Sequence, residues 1–514
     1  MKVFSMPGHL RISFLRLLAA GFGFLPGLAA AQDLVGEAAV PLDGDLLGFA
    51  PGDVDGDGQR DLIVITRGEN SRDLLRIYLR TGKASYNVAD AVAVELPGNV
   101  IGFDVGELGP SPGDEILLLS NRGAFSLDPS VTGGERFKKL LDIDLLWLAP
   151  DPDAIHHLSR TLVDLDGDGL DDLILPEPGR FRVAFQRRTA EGVRFEAVQT
   201  LEVPGQARRL SDRVRDASLS LKSGVSTGLG RGVQLWDGPL LRLAHELPAP
   251  FLLDFDGDRR LDLVAQTDAS LLVWRQQAGS MSDPVGLASP VPFDERRSLD
   301  VSYASMIADL NGDGAADWIL TAGDQRSSDS RTQVLIHLQK TEDEAKDGLF
   351  SDQPDGVLVL DGFLFERELL DLDQDGDLDL VLGAVRPDLL SKLSTDSDRV
   401  DLELYAYRNQ AGQFDRRPYL VQKVSLKTGG NRGLVRLVSD ATGDGIGELL
   451  LRDAPESLQL IGFRAGKQRL EPYPRPLWKR SVEQTAILEV RRGAFGEADL
   501  VVLQERSRLV ELCW

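Results

Sequence analysis

Short apolar runs, not helical stripes, organise this chain. Leu62-Ile63-Val64-Ile65, Leu173-Ile174-Leu175 and Leu380-Val381-Leu382 are continuous in apolar residues and bounded by Gly, Asp or Pro. Runs that short, in that setting, read as strands buried on both faces. Each is preceded by another brief apolar stretch, such as Phe251-Leu252-Leu253 or Met306-Ile307-Ala308. An alternating stretch usually follows, such as Leu75-Arg76-Ile77-Tyr78-Leu79 or Arg182-Val183-Ala184-Phe185, the pattern of a strand with one wet face. Apolar positions at helical spacing are nearly absent. The pattern predicts an all-β chain.

The strands come in repeated units. Gly52-Asp53-Val54-Asp55-Gly56-Asp57-Gly58-Gln59-Arg60-Asp61 leads into the first buried run, and acidic loops of the same form begin at Asp164, Asp254, Asp309, Asp371 and Asp440. Two weaker echoes begin at Asp104 and near Gly493. Successive units are 51, 60, 90, 55, 62, 69 and about 53 residues apart. A period of about 50–60 residues holding four short strands is the size of a propeller blade. The expected fold is a seven- or eight-bladed β-propeller, with the eight units favouring eight. A strand from Glu37 to Leu42 precedes the first unit, and two strands, Leu500 to Leu503 and Leu509 to Leu512, end the chain. The N-terminal strand is expected to complete the last blade, which would remove exposed sheet edges.

The long step contains an inserted segment placed at Gly205 to Leu235. Arg208, Arg209, Arg213, Arg215, Lys222 and Arg231 outnumber Asp212 and Asp216 there. A solvated hairpin extending one blade is the plain expectation, and a partner-binding protrusion the sharper one.

Candidate chemistry lies in the loops. In the first, carboxylates occupy positions 1, 3, 5 and 9 (Asp53, Asp55, Asp57, Asp61), Gly58 supplies the turn at position 6, and Gln59 at position 7 offers a backbone carbonyl. Asp164, Asp166, Asp168 and Asp172, with Leu170 at position 7, form a second complete set. Asp371, Asp373, Asp375 and Asp379, with Asp377 at position 7, form a third. Asp309, Asn311, Asp313 and Asp317 substitute one amide. Asp254, Asp256, Asp258 and Asp262 keep four acids but place Arg259 where glycine stands elsewhere. Asp440, Asp444 and Glu448 are left with Thr442 at position 3. Hard oxygen donors in this number suit Ca²⁺, and the lack of His and Cys excludes an ordinary zinc site. Four carboxylates within nine residues repel one another without a cation. Position 12 is apolar (Val64, Leu175, Leu320, Leu382, Leu451), so the loop is not that of a helix–loop–helix calcium site. The echoes at Asp104 and Gly493 lack the ligands and are expected to be structural.

These loops resemble the FG-GAP/VCBS repeats of integrin α-subunit propellers and of many bacterial secreted proteins. Gly48-Phe49-Ala50-Pro51 and Gly383-Ala384 echo the residues that name the repeat. The resemblance covers nearly the whole chain after the N-terminal segment. It implies a seven- or eight-bladed propeller with Ca²⁺ in its blade loops. It also implies functions that range over adhesion, carbohydrate binding and, in some members, polysaccharide cleavage.

Charge and termini narrow the setting. Lys2, Arg11 and Arg16 precede an apolar run from Leu17 to Ala31, the form of a secretory signal peptide over residues 1–31. Residues 32–514 are then one propeller domain, secreted, periplasmic or at the cell surface, with no transmembrane segment. Losing three basic residues takes the net charge from −24 to −27, which repels nucleic acid and anionic lipid. Cys513 is the one cysteine, so an internal disulfide is impossible, and a small apolar role in a terminal strand is expected. No nucleophile motif or phosphate loop appears, and His156 and His157 read as strand-end residues. The expectation is a monomeric, non-enzymatic module for a protein or glycan partner. A polysaccharide lyase or hydrolase on the same scaffold is the alternative.

Overall fold

The computed structural model describes residues 35–514 apart from 69, 110–111, 121–122, 130, 132, 143–153, 160, 178, 190–191, 204–206, 210–242, 246–249, 268–269, 289–300, 325–330, 341–348, 386–398, 428–433, 467–468 and 492–498. Eight small antiparallel sheets follow one another and form the blades of a β-propeller. Blade 1 is the meander Asp45–Gly52, Asp61–Arg67, Asp73–Tyr78 and Val92–Glu95. The first two strands of the next blades are Val100–Gly106 and Glu115–Ser120 in blade 2, and Leu162–Val163 and Asp172–Glu177 in blade 3. They are Pro250–Leu253 and Asp262–Gln266 in blade 4, and Val301–Ala308 and Asp317–Asp324 in blade 5. They are Phe363–Leu370 and Asp379–Val385 in blade 6, and Leu434–Val438 and Glu448–Ala454 in blade 7. Among the described residues the one helical element is the 3-10 turn Gly133–Arg136.

The middle of each second strand is a continuous apolar run because it faces two neighbours. Ile63 and Ile65 pack with Phe103, Ile116 and Leu118 of blade 2. The alternate residues Leu62 and Val64 pack with Leu500, Val502 and Leu509 of blade 8. Both faces of the strand are therefore core, and each fully buried aliphatic side chain contributes about 1.5–3 kcal/mol. The outermost strands Gly36–Pro41 and Gly356–Asp361 alternate buried and exposed positions, as a strand with one wet face must. First strands of adjacent blades approach closely. A Cβ on Gly52 would lie 2.3 Å from Val105 Cγ1, so only glycine fits where blade 1 meets blade 2.

The ring closes as expected. Gly36–Pro41 adds to Arg508–Cys513, with Gly36 opposite Cys513 and Pro41 opposite Arg508. It completes blade 8 with Ile487–Arg491 and Leu500–Gln504. A half-buried polar cluster joins this blade to blade 1: Arg80 and Tyr86 both reach the carboxylate of Glu511, and the Arg80 guanidinium lies 4.8 Å from the centre of the Tyr86 ring. Cys513 is buried, and Trp318 is 1% exposed in the core.

The expected insertion falls between blades 3 and 4. Ala207–Arg209 pairs with Leu243–His245 as a two-stranded ribbon separate from the blades. The inserted segment thus closes at His245, later than its composition indicated, and residues 210–242 lie outside the described residues. So does the expected signal segment, residues 1–31. Among the described residues no helix is long and apolar enough to cross a membrane.

Candidate metal centre

Six blades carry the same loop between their first and second strands, so the acidic segments share one end of the ring. The loop is wound by hydrogen bonds from its backbone to its own carboxylates. In blade 3, Asp164 at position 1 accepts the N–H groups of Gly167 (2.8 Å), Asp168 (3.1 Å) and Gly169 (2.9 Å). Asp168 at position 5 accepts the N–H of Leu170 (3.0 Å). Asp172 at position 9 accepts the N–H of Leu165 (3.1 Å) on one oxygen and that of Gln186, in the third strand Arg180–Thr189, on the other (2.8 Å). Asp53, Asp254, Asp309, Asp371 and Asp440 accept position-6 N–H groups as Asp164 does.

This winding needs left-handed backbone at two positions, of which the sequence reading singled out one. Position 6 has φ of 82° at Gly58, 80° at Gly169, 89° at Gly314, 96° at Gly376 and 86° at Gly445. Position 4 has φ of 73° at Gly56, Gly167 and Gly443, 82° at Gly257 and 75° at Gly312. The exceptions are Arg259 at 68° and Gln374 at 52°, non-glycine residues held in a conformation that L side chains disfavour. A Cβ on Gly169 would meet nothing within 4 Å, so the demand there is conformational, not steric.

Five loops bring three carboxylates together with oxygens within 4.8 Å of one another. The groups are Asp53, Asp55 and Asp57; Asp164, Asp166 and Asp172; Asp254, Asp256 and Asp262; Asp371, Asp373 and Asp375; and Asp440, Asp444 and Glu448. The other acids have further partners. Asp61 holds the N–H groups of Val54 and Arg80. Asp379 accepts the Tyr419 hydroxyl and the Asn409 N–H. Asp258 is bound by the Arg260 guanidinium, and Asp168 lies 3.3 Å from Arg187. In blade 5, Asn311 donates to Asp313 (2.9 Å), and Asp317 repeats the position-9 bonds with Leu310 and Gln339. At position 7, Gln59 and Asp377 donate their N–H groups to Asp57 and Asp375.

The position-9 acids are almost fully buried. Burial, opposed by their backbone N–H partners and reinforced by neighbouring carboxylates, pushes Asp172 up to about 7 and Asp262 and Asp317 up to about 6. Burial likewise raises Asp379 and Glu448 to about 7. At position 3 a different feature recurs. Oδ1 of Asp166, of Asp256 and of Asp373 is buried with no hydrogen-bond partner. Such an atom costs about 1–3 kcal/mol unless something meets it.

One sequence expectation is corrected. The blade 2 unit begins at Glu107, not Asp104. Asp104 lies on the first strand and accepts the N–H groups of Thr161 (3.0 Å) and Leu162 (2.9 Å), while His157 pairs with it at 3.0 Å. His156–His157 is a short strand parallel to that first strand.

Sequence reasoning missed the residues that join one loop to the next. The N–H of Asp53 donates to Asp114 Oδ2 (2.8 Å), and that of Glu107 to Asp171 Oδ2 (2.7 Å). Side-chain amides in the third strand or just past it do the same work: Gln186 to the Glu107 carbonyl (2.9 Å), Gln339 to that of Phe255 (3.2 Å) and Asn409 to that of Leu310 (2.7 Å). A Gln or Asn in the third strand or just after it in several units was the available signal.

Residues 254–340 match the model of the FG-GAP-like repeat. No curated protein matches the chain. Among solved structures it is similar to an Agrocybe aegerita lectin that recognises non-reducing terminal N-acetylglucosamine, at 16% identity and TM-score 0.38, over 91% of this chain and 99% of that one. It is also similar to the WD40 domain of SCAP from fission yeast, at 10% identity and TM-score 0.44, over 95% and 96%. A third likeness is to Sqt1 from Chaetomium thermophilum, at 11% identity and TM-score 0.40, over 93% and 98%.

Proposed function

For an eight-bladed β-propeller that carries an FG-GAP-like repeat, we propose a cation-stabilised binding module, exported by its N-terminal segment, that presents a rigid ring of loops to a protein or glycan partner. The observation that carries the metal reading is Asp166 Oδ1. It is buried and unpartnered in a side chain only 9% exposed, beside two further carboxylates. The donors brought together are carboxylate oxygens, which favour Ca²⁺ over softer ions. The ion would gather three acidic loop positions that otherwise repel, and so fix the loop face on which a partner docks.

Thermal unfolding in millimolar Ca²⁺ and in excess chelator tests this. An ion bound only by the folded state stabilises by about 2.7 kcal/mol per site at a hundredfold excess over Kd. The expected result is a clear rise in Tm with Ca²⁺ that shrinks in Asp164→Ala. An unchanged Tm would leave the acidic loops as turns. A glycan array and a pull-down, each run with Ca²⁺ and with chelator, then test the binding role.

A further inference from the structure

Three arginines bear on position 3 of the acidic loops. Arg187 Nη2 lies 2.6 Å from Oδ2 of Asp166, and its Nη1 3.3 Å from Oδ2 of Asp168. Arg275 Nη1 lies 3.4 Å from Oδ2 of Asp256. Arg408 Nε lies 2.8 Å from Oδ2 of Asp373. In all three blades the arginine occupies Oδ2 of loop position 3, and Oδ1 of the same carboxylate is the buried atom without a partner. Where position 3 is neutral, the side chain is held inside the loop instead. Asn311 bonds to Asp313, and Thr442 donates to Glu448 (2.9 Å).

A guanidinium at such a loop could act in two ways. As a rival cation it would sit among the carboxylates and be expelled by a metal ion. As an orienting group it would hold the outer oxygen and leave the inner one free. The division between Oδ2 and Oδ1 selects the second. Arg187 is itself fixed for the task. Its Nη1 donates to the Gln186 carbonyl (2.8 Å), its guanidinium lies 5.3 Å from the centre of the Phe185 ring, and blade 4 presses on it from outside. A Cβ on Gly279 of that blade would lie 2.1 Å from Arg187 Nη2. The neighbouring blade therefore completes the support of the blade 3 loop.

We propose that Arg187, Arg275 and Arg408 are positioning residues that aim the position-3 carboxylate at a bound Ca²⁺ ion, and that Gly279 couples blade 4 to the site of blade 3. The inference rests on the metal reading given above. Losing an outer partner of a ligating group typically weakens metal binding 10–100-fold.

The test is Ca²⁺ binding to the whole protein by calorimetry and equilibrium dialysis, with melting in chelator as the control for folding. Arg187→Gln is expected to weaken one site by about 10–100-fold and to leave the remaining sites as they are, with a cooperative melt in chelator showing that the variant still folds. Arg187→Lys keeps the charge without the two-pronged contact and is expected to recover part of the affinity. Gly279→Ala is expected to weaken the same site from the neighbouring blade. If Arg187→Gln leaves every site intact or tightens one, while Asp164→Ala removes a site, the positioning role is overturned and the metal reading stands. If Asp164→Ala also leaves Ca²⁺ binding unchanged, both fall together.

Discussion

Blades 2 and 3 are neighbours that fold the same hairpin around different loops. Blade 3 places Asp164, Asp166 and Asp168 at positions 1, 3 and 5, where blade 2 has Glu107, Gly109 and Ser111. Yet both keep an acid at position 9, the first residue of the second strand. The Leu165 N–H donates to Asp172 in one (3.1 Å), and the Leu108 N–H to Glu115 in the other (2.8 Å). An acid at position 9 is thus retained where the acids of positions 3 and 5 are lost. It belongs first to the hairpin, satisfying a backbone N–H that the turn cannot pair internally. Positions 3 and 5 add surplus negative charge, and in blade 3 Asp164 and Asp166 draw Asp172 into one cluster. The position-9 acid of blade 2 serves the hairpin alone, and that of blade 3 serves both the hairpin and the cluster.

The largest expected effect that tests this division is on pH dependence. Asp172, Asp379 and Glu448 at about 7, and Asp262 and Asp317 at about 6, lie far above the unfolded carboxyl range near 4. A carboxyl raised in the folded state contributes stability below the unfolded value and loses it as pH rises through the folded value. In chelator, Tm should therefore be higher at pH 5 than at pH 8. In Ca²⁺ the trend should reverse, because protons compete with the ion for the same oxygens. Parallel pH trends with and without Ca²⁺ would break the link between these acids and a cation.

A smaller effect separates the two roles directly. Asp172→Asn and Glu115→Gln each remove one charged acceptor from a backbone N–H, at a cost of about 1–3 kcal/mol. Both should lower the chelator Tm. Only Asp172→Asn should also reduce the gain from Ca²⁺. An equal response to Ca²⁺ in the two variants would contradict the division. The smallest effect concerns the backbone. Arg259→Gly relieves a left-handed residue and is expected to raise the chelator Tm by an amount equivalent to about 1 kcal/mol or less. Lys at the same position should change nothing, because it keeps the unfavourable conformation.

Much of this was legible beforehand. Asp53, Asp164, Asp254, Asp309, Asp371 and Asp440 announce the loops by position alone, because alternating carboxylates with glycine wind one way whatever surrounds them. The buried runs beginning at Leu62 and Leu380 announce the second strands. What escaped was relational. Asp104 resembles a loop acid in composition but lies on a strand, and only pairing places Glu107 at the start of the turn. Asp114, Asp171, Gln186 and Asn409 look like ordinary surface residues until the neighbouring blade is set beside them. The arginines at 187, 275 and 408 stand 21, 19 and 35 residues after the carboxylates they hold, too far and too irregularly for any local pattern.

The sequence by itself determined the repeat, the strand order within each unit and the chemistry of the loops. These depend on interactions among residues close along the chain, where turn geometry and alternation leave few choices. The tertiary structure decided the ring of eight and its closure by Gly36–Pro41 on the last blade. It also decided which oxygen of each carboxylate is taken and which is left. Closure depends on contacts between blades, and the choice of oxygen on an arginine that the same blade brings back to its loop from its third strand or just past it, far along the chain.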